Sequence, residues 1–291
     1  METLWSVRKP GRPVCKVGGL RPGDHGWLAY AGEAERHHVT GAFVRAGLAA
    51  GDAVLYLAGS APVTVPGLPP GNGPVAGAER LHVVALDRAA GRPGAAAYPD
   101  VLLRTIAGEL ARAGGRGLRI AADLTWALHL PDGLERLLRC ERDIDLLIGS
   151  GGATAVCQFD RLRCAPAELD ALGAAHGIAV APDPEFEDPV LRVVRTFQPP
   201  GLAFSGELDA SRHSVLVQAL ATVMKSAGDE EVHLDLGGLG FIDLGSLNIL
   251  ARTAGHPGNR APLVLDHLSP QLRTLMETVG WHMLPGLRLG T

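Results

Sequence analysis

The sequence predicts an α/β protein of two domains, and three observations support this prediction. Short apolar runs alternate with stretches of helical periodicity along most of the chain. The 291 residues are about twice the length of an ordinary domain. A proline-rich acidic stretch, APDPEFEDP, interrupts the alternation and predicts a linker at 181–190, between domains at 15–180 and 191–289.

The first part contains apolar runs of strand length. Near-continuous runs of this kind are typical of parallel strands that are buried on both faces, and they are WLAY (27–30), AVLYLA (53–58), LHVVALD (81–87), LRIAADL (118–124) and AVCQF (155–159). Apolar residues at helical spacing predict helices between them, at 33–50, 99–113, 131–148 and 166–175. The segment 60–74 is too rich in proline and glycine for either element. We therefore expect a mostly parallel sheet with helices on both faces.

The second part alternates in the same way. The predicted strands are 191–197, 202–206, 232–236 and 262–268. The predicted helices are 211–227, 245–254 and one that starts at Ser269-Pro270 and ends at Gly280. Asp209 or Ser211 is the expected N-cap of the first of these helices. This part is therefore predicted to be a second, smaller α/β domain.

Composition excludes several classes of protein. Hydrophobic residues make up 46% of the chain, which is enough for packed cores and argues against disorder. The net charge of −4 provides no basic excess for a nucleic-acid partner. The N-terminal residues METLWSVRKPGRP contain no apolar stretch, and no apolar run in the chain is long enough to span a membrane. These observations predict a cytoplasmic protein.

Local motifs for cofactors and metals are missing from the sequence. The four cysteines form no CxxC or CxxH pair, so no metal site is predicted from spacing. A phosphate-binding P-loop needs a lysine within a glycine-rich loop. The only lysines in the chain are Lys9, Lys16 and Lys225. We therefore expect neither a bound cofactor nor ATP hydrolysis by a P-loop.

Five polar or aromatic residues of the first part are candidates for ligand binding: His25, Tyr30, Asp123, Trp126 and Glu141. Three of them also have a structural interpretation. His25 could be a buried histidine beside the first strand, and Trp126 could be a core aromatic rather than a surface for stacking a flat ligand. Asp123 ends a predicted strand, where a carboxylate often caps the following turn.

Several segments of the first part together resemble the MEDS domain, a sensory domain of bacterial signalling proteins: 23–58, 117–128, 140–148 and 155–163. The family typically begins with G-D-H-I-C-x-x-Y. This chain keeps Gly23-Asp24-His25 and Tyr30 but has Gly26-Trp27 where the family has an aliphatic residue and a cysteine. The resemblance implies a RecA/KaiC-like α/β fold without the phosphate loop. It implies no particular ligand.

SGELDAS (205–211) and VHLDLGGLGFIDLGSLNIL (232–250) resemble the STAS domain of anti-sigma factor antagonists. The resemblance implies a phosphorylatable Ser or Thr two residues after an aspartate, at the start of a helix. Asp243 matches that aspartate, but the acceptor position is Gly245, which has no hydroxyl. Ser246 follows one residue later, rotated by about 100° on a helix. It is either an alternative phosphoacceptor or a residue that bonds within its own turn.

The combined resemblances predict a non-catalytic signalling regulator. The first domain would sense a small-molecule signal, and the second would bind an anti-sigma factor or a related kinase-like protein. The predicted contact residues are Asp209, Asp243, Gly245 and Ser246. One alternative is a nucleotide-binding or nucleotide-hydrolysing enzyme of RecA-like fold, and another is a scaffold protein.

Overall fold

A computed structural model describes residues 13–59, 64–68, 77–86, 98–149, 152–256 and 262–290. The chain divides into two compact units, Met1–Pro182 and Asp183–Thr291. Within the described ranges, no helix has both the length and the apolar composition that a membrane crossing requires.

The first unit is built around one parallel sheet of seven strands. Its strands are β1 (Val14–Lys16), β2 (His25–Tyr30), β3 (Ala53–Ala58), β4 (Leu81–Ala85), β5 (Leu118–Asp123), β6 (Ala153–Asp160) and β7 (Ile178–Ala181). They lie in the order β1-β7-β2-β6-β5-β3-β4, and all of these pairs are parallel. The helices are α1 (Glu33–Ala50), α2 (Tyr98–Ala113), α3 (Gly133–Gly149) and α4 (Pro166–Ala175).

Both faces of this sheet are covered, as the apolar runs predict. On β5, Leu118 and Ile120 pack with the apolar side chains of α2 and α3, whereas Ala121 packs on the opposite face with those of α1. Successive side chains of a strand point to opposite faces, so a strand buried on both sides must be apolar at nearly every position. The predicted mostly parallel α/β sheet is confirmed.

The predicted and observed bounds agree for three elements of the first unit. The bounds of β3, α1 and α4 are those predicted, whereas β4 ends at Ala85 and β2 begins two residues earlier than predicted, at His25. The short edge strand β1 and the alanine-containing β7 were not predicted. Of the predicted loop at 60–74, residues 64–68 form turns and extended chain, and the remainder lies outside the described residues.

The second unit contains a mixed sheet of six strands. They are β8 (Phe186–Glu187), β9 (Leu191–Phe197), β10 (Pro200–Leu208), β11 (Val232–Ile242), β12 (Leu263–Asp266) and β13 (Leu287–Leu289). The order is β13-β12-β11-β10-β9-β8, with β8 and β9 antiparallel to their neighbours. The helices are α5 (His213–Ala227), α6 (Leu244–Ala254) and α7 (Pro270–Thr278). This confirms the predicted second α/β domain.

Two predicted boundaries of the second unit are wrong. The linker at 181–190 includes β8, because Phe186 packs against the apolar core and pairs with β9 at the edge of the sheet, where neighbouring prolines cost no ladder hydrogen bond. The strand predicted at 232–236 continues to Ile242. It follows β10 through two register shifts, so that Leu208 at the end of β10 lies opposite Ile242.

Candidate functional site

The predicted partner-binding residues lie together at the carboxyl ends of two neighbouring strands of the second sheet. Asp209 directly follows β10 and Asp243 directly follows β11, and the last residues of these two parallel strands are register partners. The backbone N–H of Asp243 donates to the carbonyl of Leu208 at 3.1 Å, which ties the start of α6 to the end of β10. We call the surface formed by Asp209, Phe241, Asp243, Leu244 and Gly245 the tip of the second unit.

Both aspartates of the tip cap helical turns. Asp243 accepts a hydrogen bond from the backbone N–H of Ser246 at 2.7 Å and is the N-cap of α6. Asp209 accepts bonds from the backbone N–H and the hydroxyl of Ser211, at 3.0 and 2.6 Å, and so caps the 3₁₀ turn that precedes α5. Of the two residues expected to cap the helix, Asp209 therefore caps the preceding 3₁₀ turn, whereas α5 itself begins after Arg212 without a side-chain cap.

A histidine that the sequence analysis did not select completes the tip. Nε2 of His213, the first residue of α5, lies 3.0 and 3.1 Å from the two carboxylate oxygens of Asp243. The ring also covers Gly245, where an added Cβ would overlap Cε1 of the imidazole. The volume that a serine side chain would need at the acceptor position is therefore occupied by the partner of Asp243.

Ser246 is not a surface residue. Its side chain is completely buried, and its hydroxyl donates to the carbonyl of Leu208 at 3.4 Å. This position corrects its place among the predicted contact residues, because a docked protein would not touch it. A kinase would reach its hydroxyl only after the start of α6 had opened.

Charge and apolar surface coincide at the tip. Partial burial raises the pKa of Asp243, but hydrogen bonds from His213 and the Ser246 N–H outweigh burial and lower it. Phe241 and Leu244, the second residue before Asp243 and the residue after it, are 50% and 64% exposed. An ionised carboxylate between exposed apolar side chains suits the docking of a protein partner.

In the first unit, two of the predicted ligand-binding residues lie at the carboxyl ends of the parallel strands. Tyr30 ends β2 and Asp123 ends β5, and Arg36 of α1 lies between them. Nη1 of Arg36 is 2.9 Å from Oδ2 of Asp123 and 3.3 Å from the hydroxyl of Tyr56, and its guanidinium carbon lies 5.7 Å from the centre of the Tyr30 ring. This edge of a parallel sheet is where α/β proteins commonly bind ligands.

Burial at the carboxyl ends of these strands disfavours an unpaired charge on Asp123 or Tyr56. Burial raises the pKa of Asp123, and the positive charge of Arg36 opposes that rise. Burial also raises the pKa of the Tyr56 hydroxyl to about 12. At neutral pH, Tyr56 is therefore a protonated hydroxyl beside the Arg36–Asp123 ion pair.

Trp126 has the structural role that the sequence analysis gave as its alternative. Its indole N–H donates to the carbonyl of Asp123 at 3.1 Å, and its ring packs edge-on against Tyr98, with the ring centres 5.1 Å apart. A Cβ at Gly59 would overlap the same ring. These contacts hold the turn after β5, so Trp126 has a structural role there.

His25 and Glu141, the remaining predicted residues, lie on the opposite face of the sheet, under α3 and α4. They meet two residues that the sequence analysis did not select, Cys157 on β6 and His176 directly after α4. All four are at most 4% exposed, and one potential ligand atom from each lies within 4.8 Å of the others. We call these four residues the buried cluster, and they are the group in the described residues that could hold a metal ion.

The sequence gives little local signal for this cluster. Its members come from β2, α3, β6 and the end of α4, so no short spacing links them. His25 and Cys157 lie on neighbouring strands. Cys157 is the register partner of Trp27, two residues after His25, so His25 and Cys157 are close and on the same face of the sheet. Only the strand order brings the two residues together.

Comparisons with known proteins agree with this division of the chain. Residues 24–177 match the family described as "MEDS: MEthanogen/methylotroph, DcmR Sensory domain". Residues 191–288 match the family described as "Mlab, STAS domain". A matching solved structure is the crystal structure of an anti-sigma factor antagonist from Mycobacterium paratuberculosis, with 21% identity, 35% of this chain and 90% of that chain covered, and a TM-score of 0.31. No curated protein matches the chain.

Proposed function

Because the chain belongs to the MEDS family and also carries a STAS domain, we propose that it is a non-catalytic regulator that couples a sensed signal to protein docking. The first domain receives the signal, and the tip of the second domain binds an anti-sigma factor or a related kinase-like protein. The family assignment of both domains is the observation that carries this proposal.

The geometry of the tip supports docking that does not depend on a phosphate on this chain. Gly245 offers no hydroxyl, and the His213 ring fills the space beside it. The Asp243 carboxylate already has hydrogen-bond partners in the His213 ring and the backbone N–H of Ser246 in α6. Shape and charge are therefore available for recognition, whereas a covalent switch has no accessible acceptor at this position.

The signal is proposed to act at the carboxyl edge of the first sheet, where Tyr30, Arg36 and Asp123 meet. Arg36 is 16% exposed and Asp123 is 20% exposed at their side chains, so this ion pair is within reach of a small polar molecule. Ligands that bind only the folded form raise its stability. A melting-temperature screen of the full chain would detect such a molecule, and an Arg36→Met variant should lose its effect.

Docking is tested by affinity capture from a bacterial lysate with the full-length chain as bait. The tip variant is Leu244→Asp, which places a charge on an exposed apolar position. The matched control is Met283→Asp, another highly exposed apolar residue of the same unit but outside the tip. We expect the wild type and the control, but not the tip variant, to capture an anti-sigma factor or kinase-like ATPase, and the purified pair to bind directly.

Two results would contradict this proposal. One is the capture of no such protein by the wild type, and the other is equal binding by Leu244→Asp. The absence of catalysis is tested separately by an ATP-hydrolysis assay of the wild type and Asp123→Asn. We expect no turnover by either, and turnover that Asp123→Asn abolishes would instead identify an enzyme.

A further inference from the structure

We propose that the buried cluster binds one zinc ion in a closed, four-ligand site. The ligands would be the imidazoles of His25 and His176, the thiolate of Cys157 and the carboxylate of Glu141. This inference concerns the first unit alone and is independent of the docking proposed for the second.

The spacing of the four side chains is that of a coordination sphere. Oε2 of Glu141 lies 3.2 Å from Nε2 of His25, 3.2 Å from Sγ of Cys157 and 3.3 Å from Nε2 of His176. Nε2 of His25 and Sγ of Cys157 are 3.4 Å apart. Tetrahedral zinc with bonds of about 2.0–2.3 Å holds neighbouring ligand atoms about 3.3–3.8 Å apart. The observed separations therefore require only small shifts to admit the ion.

The proton on His176 is fixed at the nitrogen away from the cluster. Its Nδ1 lies 2.8 Å from the carbonyl oxygen of Leu172, which can only accept, so Nδ1 carries the hydrogen. In the neutral ring, Nε2 then directs a lone pair towards the Glu141 carboxylate, and it has no hydrogen-bond partner among the described residues. An outer hydrogen bond from one nitrogen that leaves the other free to ligate is typical of metal-binding histidines.

His25 is oriented in a comparable way. Its Nε2 faces the cluster, while its Nδ1 lies 3.4 Å from Oδ1 of Asp145, one turn further along α3 than Glu141. The Asp145 side chain is 65% exposed, so the buried imidazole has a hydrated carboxylate behind it. Carboxylate, histidine and metal in that order form a common arrangement at zinc sites.

Charge balance also favours a divalent cation. Glu141 is completely buried, and its carboxylate lies beside His25, Cys157 and His176. Protonating both histidines would satisfy the carboxylate but leave a net positive charge in a fully buried site, which is costly. A zinc ion with one carboxylate, one thiolate and two neutral imidazoles has no net charge. Cys157 would lose its thiol proton to solvent as the ion binds.

The choice of ion follows from the donors. Calcium and magnesium bind through oxygen ligands, whereas a set of two imidazoles, one thiolate and one carboxylate suits zinc. The rings of Trp27 and Phe159 lie 6.4 and 6.3 Å from that of His176, so apolar groups border the site. Four protein ligands with no open position indicate a structural site that joins β2, β6, α3 and the end of α4.

Metal content of the full-length chain tests the assignment. The protein is produced in zinc-supplemented medium, purified without chelator and analysed by inductively coupled plasma mass spectrometry. We expect about one zinc per chain for the wild type and a loss of about tenfold or more in Cys157→Ala and His176→Ala. Cys164→Ala is the matched control, since Cys164 is another buried cysteine of the same unit outside the buried cluster, and it should retain its zinc.

A second measurement does not depend on whether the variants fold. Wild-type protein is stripped with a chelator and titrated with Co²⁺, which should give a thiolate-to-cobalt charge-transfer band and the intense visible bands of tetrahedral Co²⁺. Zinc should abolish these bands and raise the melting temperature. The assignment is overturned if stripped wild type gives no such bands and no stabilisation by zinc, if Cys157→Ala keeps its zinc, or if another metal is bound stoichiometrically.

Discussion

Replacing Asp243 with alanine should destabilise the second unit by about 1.5 kcal/mol. The variant loses the N-cap bond to the Ser246 N–H, which is worth about 1 kcal/mol. It also loses the contact with His213, whose side chain is 32% exposed, so this pair should add only about 0.5 kcal/mol. The value of about 1.5 kcal/mol is a simple sum of the two contributions, which are not independent because both donors share one carboxylate.

Urea-dependent hydrogen exchange of peptides from α6 measures this cost within the second unit. Ser269→Ala is the control, because Ser269 caps α7 through the Leu272 N–H and no ion pair is involved. We expect Ser269→Ala to cost about 1 kcal/mol. If Asp243→Ala costs no more than the control, the contribution assigned to His213 is wrong, and a cost close to zero would refute the capping argument.

The difference in stability between wild type and Asp243→Ala should depend on pH. The folded state lowers the pKa of Asp243, so its contribution is complete above the unfolded value of about 3.9. It is lost as the pH falls through the lower folded value, because the protonated form binds more weakly to both donors. The stabilities of wild type and Asp243→Ala should therefore converge on acidification. A difference that stays constant across this range would show that the carboxylate charge is not involved.

Three further results are expected. Ile144→Ala should cost about 2–5 kcal/mol, since Ile144 is 1% exposed, whereas Leu146→Ala on the same helix, at 76% exposure, should stay within about 0.5 kcal/mol; equal urea midpoints would contradict the assignment of buried faces. Gly245→Ser should displace the His213 ring, so the ring proton signals should shift in NMR spectra, and an unchanged spectrum would count against the overlap. Burial raises the pKa of the Cys140 thiol, and Cys15 is the one cysteine that is not buried, so in a Cys15→Ala variant Ellman's reagent should label Cys140 only after unfolding, and rapid labelling of that native variant would be inconsistent with its position.

The sequence predicts the fold well where the residues of an element are sufficient to determine its structure. The run at Ala53–Ala58 is apolar at every position, and only a strand buried on both faces uses such a run efficiently. The short strand Ile178–Ala181 is also apolar at every position, but it is only four residues long and depends on pairing with two neighbours. Its register is set by the assembled sheet, and no local preference reveals it.

In the candidate sites, too, local features could be predicted, whereas features that depend on the assembled fold could not. The N-cap roles of Asp209 and Asp243 are local and could be predicted. The buried cluster could not, because spacing rules detect metal ligands that are close in sequence, whereas Glu141 and His25 are brought together by the strand order and by the packing of a helix on the sheet. His213 escaped notice for the same reason, as its contact with Asp243 spans 30 residues.

The imidazole above Gly245 also bears on how such domains evolve. A mutation that places serine at this position gains a hydroxyl only by displacing His213 from Asp243, so the first step gives up a favourable contact. A second mutation at position 213 would then be needed to clear the space around the new hydroxyl so that a kinase could reach it. Natural selection would have to retain an intermediate with the disadvantage and without the benefit, which is an obstacle to gaining covalent control at this position.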